Sequence, residues 1–494
     1  MFDLVIKNGM ILDGTGKDGY VCDIGILDGK IAKIDRELSG REVIDAEGLV
    51  VTPGWIDSHS HSDSRILDCP DQKEKLEQGI TMSIGGQCGG SIVPTPELSM
   101  KDLMEQVNAS SVGSGLAMLI GHGRLRRYVM GAINADPTPE QLEQMKDLLR
   151  QCMEAGARGM SLGLYYVPGC YAKIPELVAL AEVVAEYDGI VAAHLRNESD
   201  ALVEAVEEFL TVLKTTGCRG VVSHHKAAME ENWGKINTTL AMIDEANAQG
   251  ADVYMDVYPY CASRTGLTSR FIPRSYHPEG VTKVKLLLDD PDIRSRLTDW
   301  IVNTWHDDLS SVLVCTCVSH REYEGLNINE IAKLRNQRPH ETIFDLIRHD
   351  PGSPGACFFS MREEDVKTVM AHPRAMICTD SGVALPEGNY HPRLRGSFPR
   401  VLGKYVREEK VTTLPEMIRK MTSLPAHVYR LEGKGRIAEG YDADLCIFDP
   451  DTITDQADYV NWNNPNLGIY RVIIDGKVVV EDNKHNGVRA AKLV

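Results

Sequence analysis

Nowhere in its 494 residues does the sequence hold an apolar run approaching the roughly 20 that a membrane helix needs, so no membrane-spanning helix is expected. Positive charge is scarce: 53 Lys and Arg stand against 71 Asp and Glu, a formal net charge of −18. Such a surface repels phosphate backbones and anionic membranes over most of its area, which argues against nucleic acid or a membrane as partner. The opening stretch, MFDLVIKNGMILDG, lacks the basic start, apolar core and small-residue cleavage site of a secretory signal, so a cytoplasmic location is expected. The twelve Cys follow no regular spacing and read as reduced thiols, mostly small buried hydrophobes; disulfides are not expected. Long low-complexity tracts are missing too. With 43% hydrophobic and 25% charged residues the chain composes as a globular protein, long enough for a large core and a second, smaller unit.

What is present is organised by period. Residues 1 to about 53 carry short β-rich runs, Phe2 to Lys7, Met10 to Leu12, Cys22 to Leu27, Lys30 to Ile34 and Glu42 to Val51, punctuated by Asn8-Gly9, Asp28-Gly29 and Glu47-Gly48. The same texture returns after about residue 428, in Gly435 to Ile437, Ala443 to Phe448 and Tyr470 to Val480, with Asp475-Gly476 as a hairpin turn. Neither end has enough strands to cover its own apolar face, so residues 1–53 and 428–494 are expected to build one small β-sandwich domain together.

Between them, in 54–427, apolar strands alternate with amphipathic helical stretches, the pattern of a parallel sheet with crossover helices. The strands read as Trp55 to His61, Ile80 to Cys88, Gly115 to His122, Gly159 to Leu164, Gly189 to His194, Gly220 to His224, Asp252 to Tyr258 and Arg374 to Asp380. Eight strands close a barrel, so an α/β fold of the (β/α)8 TIM-barrel type is expected. Residues from about 265 to 370 hold a further strand-like run, Ser311 to Cys317, and several helices, too much for one crossover. They read as an insertion at the catalytic mouth, where loop extensions shape substrate choice.

Barrel enzymes keep their chemistry at the C-terminal ends of the strands, and there the sequence places metal-competent side chains repeatedly. The first strand ends in His59 and His61, the second in Cys88, the fifth in His194, the sixth in His224, His225 and Lys226, and the eighth in Asp380. Alone, a Cys is more often packing than ligand and a lone His-x-His is a weak signal; together on one rim they favour a metal site. A thiolate with imidazoles matches zinc, with one position left open for water. Asp380 is then the expected base, taking a proton from that water and delivering it to a leaving nitrogen.

Carried by these strand ends and by NGMILDGTG, PGWIDSHSH, GQCG, SLGLYY, HLRNES, SHHK, DVYPY, TDSG, HPRLRGSFPRVLG and GYDADLCIFDP, the chain resembles the D-aminoacylase (N-acyl-D-amino-acid deacylase) branch of the amidohydrolase superfamily. The likeness runs nearly the full length and is thinnest at 265–370. It implies a tightly held zinc on Cys88, His194 and His224, and a weaker second site at His59, His61 and Asp380. It further implies that Lys226, Tyr258 and Arg393 hold the substrate α-carboxylate and that Tyr166 contacts the scissile amide. Likeness to glutamate-selective members makes Arg270 a candidate for an acidic side chain, with Arg264 a second cation in that region. His225 reads as structural, because its side chain points away from its neighbour's face. Two departures bear on the pocket: Gln87 stands where the family commonly has Asn, and the stretch from Asp380 to Arg393 is longer than usual.

The expected activity is zinc-dependent hydrolysis of N-acyl-D-amino acids, or of dipeptides ending in a D-residue. The alternatives are a cyclic-amide hydrolase of the hydantoinase or dihydroorotase kind and a non-catalytic barrel scaffold. Against the first stands the absence of Lys from Gly159 to Tyr166, where many superfamily members carry a carboxylated Lys; against the second, that no ligand position is lost. Oligomeric state is not legible in the sequence.

Overall fold

The computed structural model describes residues 1–276, 281–306, 308–384 and 388–494. Eight parallel strands form its centre: Trp55–Asp57, Ile80–Gly85, Gly115–Gly121, Gly159–Gly163, Ile190–His194, Arg219–Val222, Val253–Val257 and Ala375–Ile377. The ring is completed between the first and last by a parallel bridge from Ser60 to Ser381. The strands are apolar because both faces are covered; Gly115–Gly121, GLAMLIG, is buried at every position. Helices pack outside. Ile174–Glu186 starts with Pro175 in its first turn and buries Leu177, Leu180, Ala181 and Val184, and Leu202–Thr216 stops at Gly217, in left-handed conformation.

The strands are shorter than the sequence suggests, for a reason that matters to function. The first ends at Asp57 and the second at Gly85, so His59, His61 and Cys88 stand in the loops beyond them. Cys88, His224 and Asp380 all adopt positive φ, at 54°, 36° and 46°, which turns the chain sharply out of the strand and aims the side chain over the barrel axis.

Both chain ends contribute to the β unit. A seven-stranded sheet runs in the order Lys484–His485, Lys477–Glu481, Ile469–Ile474, Leu445–Phe448, Val50–Pro53, Met10–Ile11, Tyr20–Val21. A four-stranded sheet of Lys30–Asp35, Asp23–Leu27, Phe2–Lys7 and Gly40–Asp45 shares a core with it through Leu4, Ile24, Val51, Leu445 and Ile473. The run Glu42 to Val51 is therefore not one strand: a turn at Gly48, φ 78°, sends its two halves into different sheets. Gly435 to Ile437 forms no strand, and Tyr20–Val21 adds one.

The segment between the seventh and eighth barrel strands folds on its own sheet, Ala262–Gly266, Gly355–Phe359 and Val312–Thr316, all antiparallel. Helices cover it around Phe271, Leu297, Ile301, Val314, Phe344 and Phe358, a core separate from that of the barrel. Residues 277–280 and 307 of this segment lie outside the described residues.

One buried ion pair ties the first barrel strand to the last. Lys75 Nζ donates to Asp57 Oδ2 at 2.8 Å, to Thr379 Oγ1 at 2.6 Å and to the Ser381 carbonyl at 2.9 Å, and the side chains of Lys75 and Asp57 are 0% exposed. Lys75→Met leaves a buried carboxylate without its cation, so stability should fall by about 3–5 kcal/mol, read as a lower urea midpoint. An unchanged midpoint would show that barrel closure does not depend on the pair.

Candidate active site

The strand-end loops bring their polar side chains to one cavity of about 400 Å³. Its wall includes His61, Cys88, Tyr166, His194, His224, Lys226, Tyr258, Arg264, Arg270, Asp380 and Arg393; His59 lies fully buried just beneath. Cys88 Sγ is 3.3 Å from His59 Nε2, 3.4 Å from His224 Nε2 and 3.6 Å from His194 Nδ1. A tetrahedral zinc with ordinary Zn–S and Zn–N bonds sets its sulfur and nitrogen ligands about 3.5 Å apart, so the spacing and the donor types fit that ion. The donor atoms of His59, Cys88, His224 and Asp380 all lie within 4.8 Å of one another, as do those of His194, Glu198 and His224. Asp380 Oδ1 stands 3.2 Å from His61 Nε2 and 3.6 Å from His59 Nε2.

Electrostatics follow from this crowding. Burial pushes the Cys88 thiol up, but the charges of His59 and His224 beside it outweigh burial and hold it well below the usual thiol range. Burial likewise raises Asp380, yet Arg393, whose Nη1 donates to Oδ2 at 2.8 Å, and the neighbouring imidazoles bring it well below an ordinary carboxylate. Burial lowers His194, whereas His59 is raised well above its ordinary value because Cys88 and Asp256 outweigh burial.

Lys226, Tyr258 and Arg393 converge as expected. The Arg393 guanidinium lies 4.6 Å from the centre of the Tyr258 ring and Lys226 Nζ 5.7 Å from it. Each cation is already engaged, however, Arg393 by Asp380 and Lys226 by Glu198 Oε1 at 2.6 Å. The Tyr166 ring packs on His194 at 4.8 Å. Arg270 reaches Met229 Sδ at 3.4 Å and lies over the Trp305 ring at 5.2 Å; Arg264 donates to Thr316 Oγ1 at 3.3 Å and lies over Tyr390 at 5.4 Å. His225 turns away from the cavity to Thr239 Oγ1 at 2.9 Å, and burial lowers its pKa to about 3. Gln87 is a buried strut, donating to the Ser58 carbonyl at 3.2 Å. Residues 385–387 of the long stretch from Asp380 to Arg393 lie outside the described residues.

Sequence reading missed two acids. Glu198 stands 3.0 Å from His224 Nδ1, and Asp256 accepts from the His224 amide at 2.6 Å with His59 Nδ1 3.6 Å away. Glu198 thus fixes the His224 ring, while Asp256 fixes the His224 backbone and stands as a charge beside His59. A signal for each was available: Glu198 follows His194 by one helical turn's spacing in HLRNES, and Asp256 is an acid inside the otherwise apolar seventh strand.

The second set of donors carries a pH signature. Burial lowers His61, but its hydrogen bond with Asp380 and the Cys88 charge outweigh this and raise it to about 9. If His61 is a ligand of a second ion, that ion must displace the proton below about pH 9, and its affinity should then rise up to about tenfold per unit between about pH 7 and 9 and level off above. Metal titrations at several pH values read this directly; a flat profile would remove His61 from the second site.

Comparison with known proteins gives consistent matches. A model of the amidohydrolase family spans residues 42–480. An N-acyl-D-glutamate deacylase of Alcaligenes xylosoxydans is 36% identical over 501 residues, covering 97% of this chain and 93% of its own. The crystal structure of an N-acyl-D-glutamate deacylase from Bordetella bronchiseptica, complexed with zinc and a phosphonate inhibitor, matches with TM-score 0.86 at 34% identity, over 100% of this chain and 99% of that one. A D-aminoacylase structure concerned with a binuclear metal centre matches with TM-score 0.85 at 30% identity, over 100% and 99% of the two chains. Sharing fold and full-length similarity with these enzymes, the chain belongs to the amidohydrolase family, in its D-aminoacylase (N-acyl-D-amino-acid deacylase) branch.

Proposed function

We propose that this protein is a zinc-dependent hydrolase that removes the acyl group from N-acyl-D-amino acids, with Cys88, His194 and His224 as the firm ligand set and His59, His61 and Asp380 forming a weaker second site. The observation that carries the reading is one cavity with a thiolate–imidazole cluster at its floor and Lys226, Tyr258 and Arg393 on one wall. When bound, the ion supplies Lewis-acid polarisation of an amide carbonyl and acidifies water. Asp380 is ionised at neutral pH, so it accepts the proton of the attacking water and passes it to the nitrogen as the C–N bond breaks. Glu198 keeps the His224 ring in orientation, and Asp256 holds the His224 backbone in place beside His59.

A free α-carboxylate is what the Lys226, Tyr258 and Arg393 wall recognises. A hydantoin offers no such group, which argues against a hydantoinase, and the absence of Lys from Gly159–Gly163 argues against both cyclic-amide alternatives. With the carboxylate and the scissile carbonyl held, a third contact to the side chain, for which Arg270 is the candidate, selects one enantiomer. The names of the relatives support the D form. Arg270, with no acidic partner among the described residues, faces the same cavity and supports an acidic side chain, glutamate before leucine.

Three outcomes test this. Zinc-loaded protein should hydrolyse N-acetyl-D-amino acids over their L enantiomers; the reverse preference would sink the D reading. Asp380→Asn should keep the firm zinc by metal analysis yet lose almost all turnover, and near-normal turnover would place the base elsewhere. Arg270→Ala should lower kcat/KM on N-acetyl-D-glutamate by about 100-fold while sparing N-acetyl-D-leucine, since only the former loses a charge-assisted partner of about 2–5 kcal/mol.

A further inference from the structure

Behind the second strand-end loop lies a separate chamber of about 120 Å³, which shares Cys88 and Tyr166 as wall with the main cavity. Its remaining lining is unusual in chemistry. Backbone supplies most of it: a Cβ on Gly163 would meet the Cys88 carbonyl at 2.0 Å, so no larger side chain fits between the second and fourth strands. Apart from Cys88, the charged groups that line it are two guanidiniums, Arg124 and Arg127, and no carboxylate is among its lining residues. They stand three residues apart on the helix His122–Met130 and so share a face. Arg124 Nε donates to the Ser91 carbonyl at 2.8 Å and Arg127 Nη2 to the Val167 carbonyl at 3.1 Å, and neither meets a carboxylate among the described residues. Arg126 between them makes the contrast: it turns to the other side and pairs with Glu176 at 2.7 Å.

Position gives the chamber a role. The proposed carboxylate wall, Lys226, Tyr258 and Arg393, follows the sixth, seventh and eighth strands. An N-acyl substrate held there would direct its acyl end across the cluster toward the second, third and fourth strands, behind whose loops the chamber lies. Before cleavage that end is a neutral amide, which two guanidiniums do not attract. Hydrolysis breaks the C–N bond, places the oxygen of water on the acyl carbon and a proton on the nitrogen, and leaves a carboxylate. At about four times the ~30 Å³ that a water occupies in the liquid, the chamber admits a short acid such as formate or acetate. We propose that it is a small-carboxylate site for the acid released from the acyl group. This rests on the deacylase reading above.

The test uses the full-length, zinc-loaded protein with sodium acetate and inorganic phosphate as probes. In Arg124→Gln/Arg127→Gln the inhibition constant of acetate against N-acetyl-D-amino-acid hydrolysis should rise about tenfold or more, while that of the free amino acid stays within about twofold. Acetate should also raise the melting temperature of the unaltered protein saturably, and the double variant should lose that rise. The thermal arm needs no turnover, so it stands even if no N-acyl-D-amino acid is hydrolysed. An unchanged acetate constant, or a thermal rise retained in the double variant, overturns the proposal; so does a rise with phosphate and none with acetate. Should the double variant not fold, Arg127→Gln alone, at an exposed position, carries the same comparison.

Discussion

Buried negative charge at the rim of the barrel is the constraint on which the site depends. Cys88, Glu198, Asp256 and Asp380 all lie around one group of imidazoles, and Asp256 is 0% exposed with Oδ2 unpartnered. Anions removed from water are stable only when cations or donors meet them. Arg393 answers Asp380, Lys226 answers Glu198, and the imidazoles answer Cys88. A bound cation is the natural completion of such a set, and the same logic explains why the strands end where they do. Left-handed turns at Cys88, His224 and Asp380 are backbone strain that aims three donors at one point.

Much of this was legible in the sequence because barrel chemistry sits at a topologically fixed place. Eight apolar runs pointed to the fold, and the polar ends of five of them to the ring of His59, His61, Cys88, His194, His224 and Asp380. Alternation and Asp-Gly turns likewise exposed the β unit: Asp28-Gly29 and Asp475-Gly476 join adjacent antiparallel strands with positive φ at all four residues. The failure at Glu42 to Val51 has the complementary cause. Gly40–Asp45 is largely exposed and Val50–Pro53 wholly buried, and the turn at Gly48 between them, signalled by Glu47-Gly48, sends them into different sheets although the run around it reads as one strand.

Less was legible where partners are distant in sequence. Arg264 and Arg270 come from the start of the inserted sheet and the helix after it, yet their surroundings are Tyr390, Thr316, Trp305 and Phe358. No local pattern announces that two guanidiniums will share a wall with the strand-end cluster, since an isolated Arg in a loop is ordinarily solvated. The buried Lys75 is similar. Its value lies in joining Asp57 to Thr379, some three hundred residues on, and it flanks the backbone of Asp380 on both sides. Positioning of the proposed base thus comes from a helix that carries no site residue.

Arg393 joins the electrostatic and the recognition arguments. Its Nη1 holds Asp380 at 2.8 Å, while its guanidinium covers Tyr258 in the proposed α-carboxylate wall. An incoming α-carboxylate therefore competes with Asp380 for one cation. As the guanidinium turns toward substrate, the charge that depresses Asp380 weakens, and the carboxylate gains proton affinity at the moment it is needed as a base. Without a carboxylate-bearing ligand, Asp380 stays paired and a poor base. Binding of the right substrate class then bears on turnover as well as on affinity, because the group that recognises the α-carboxylate is the one that restrains the base.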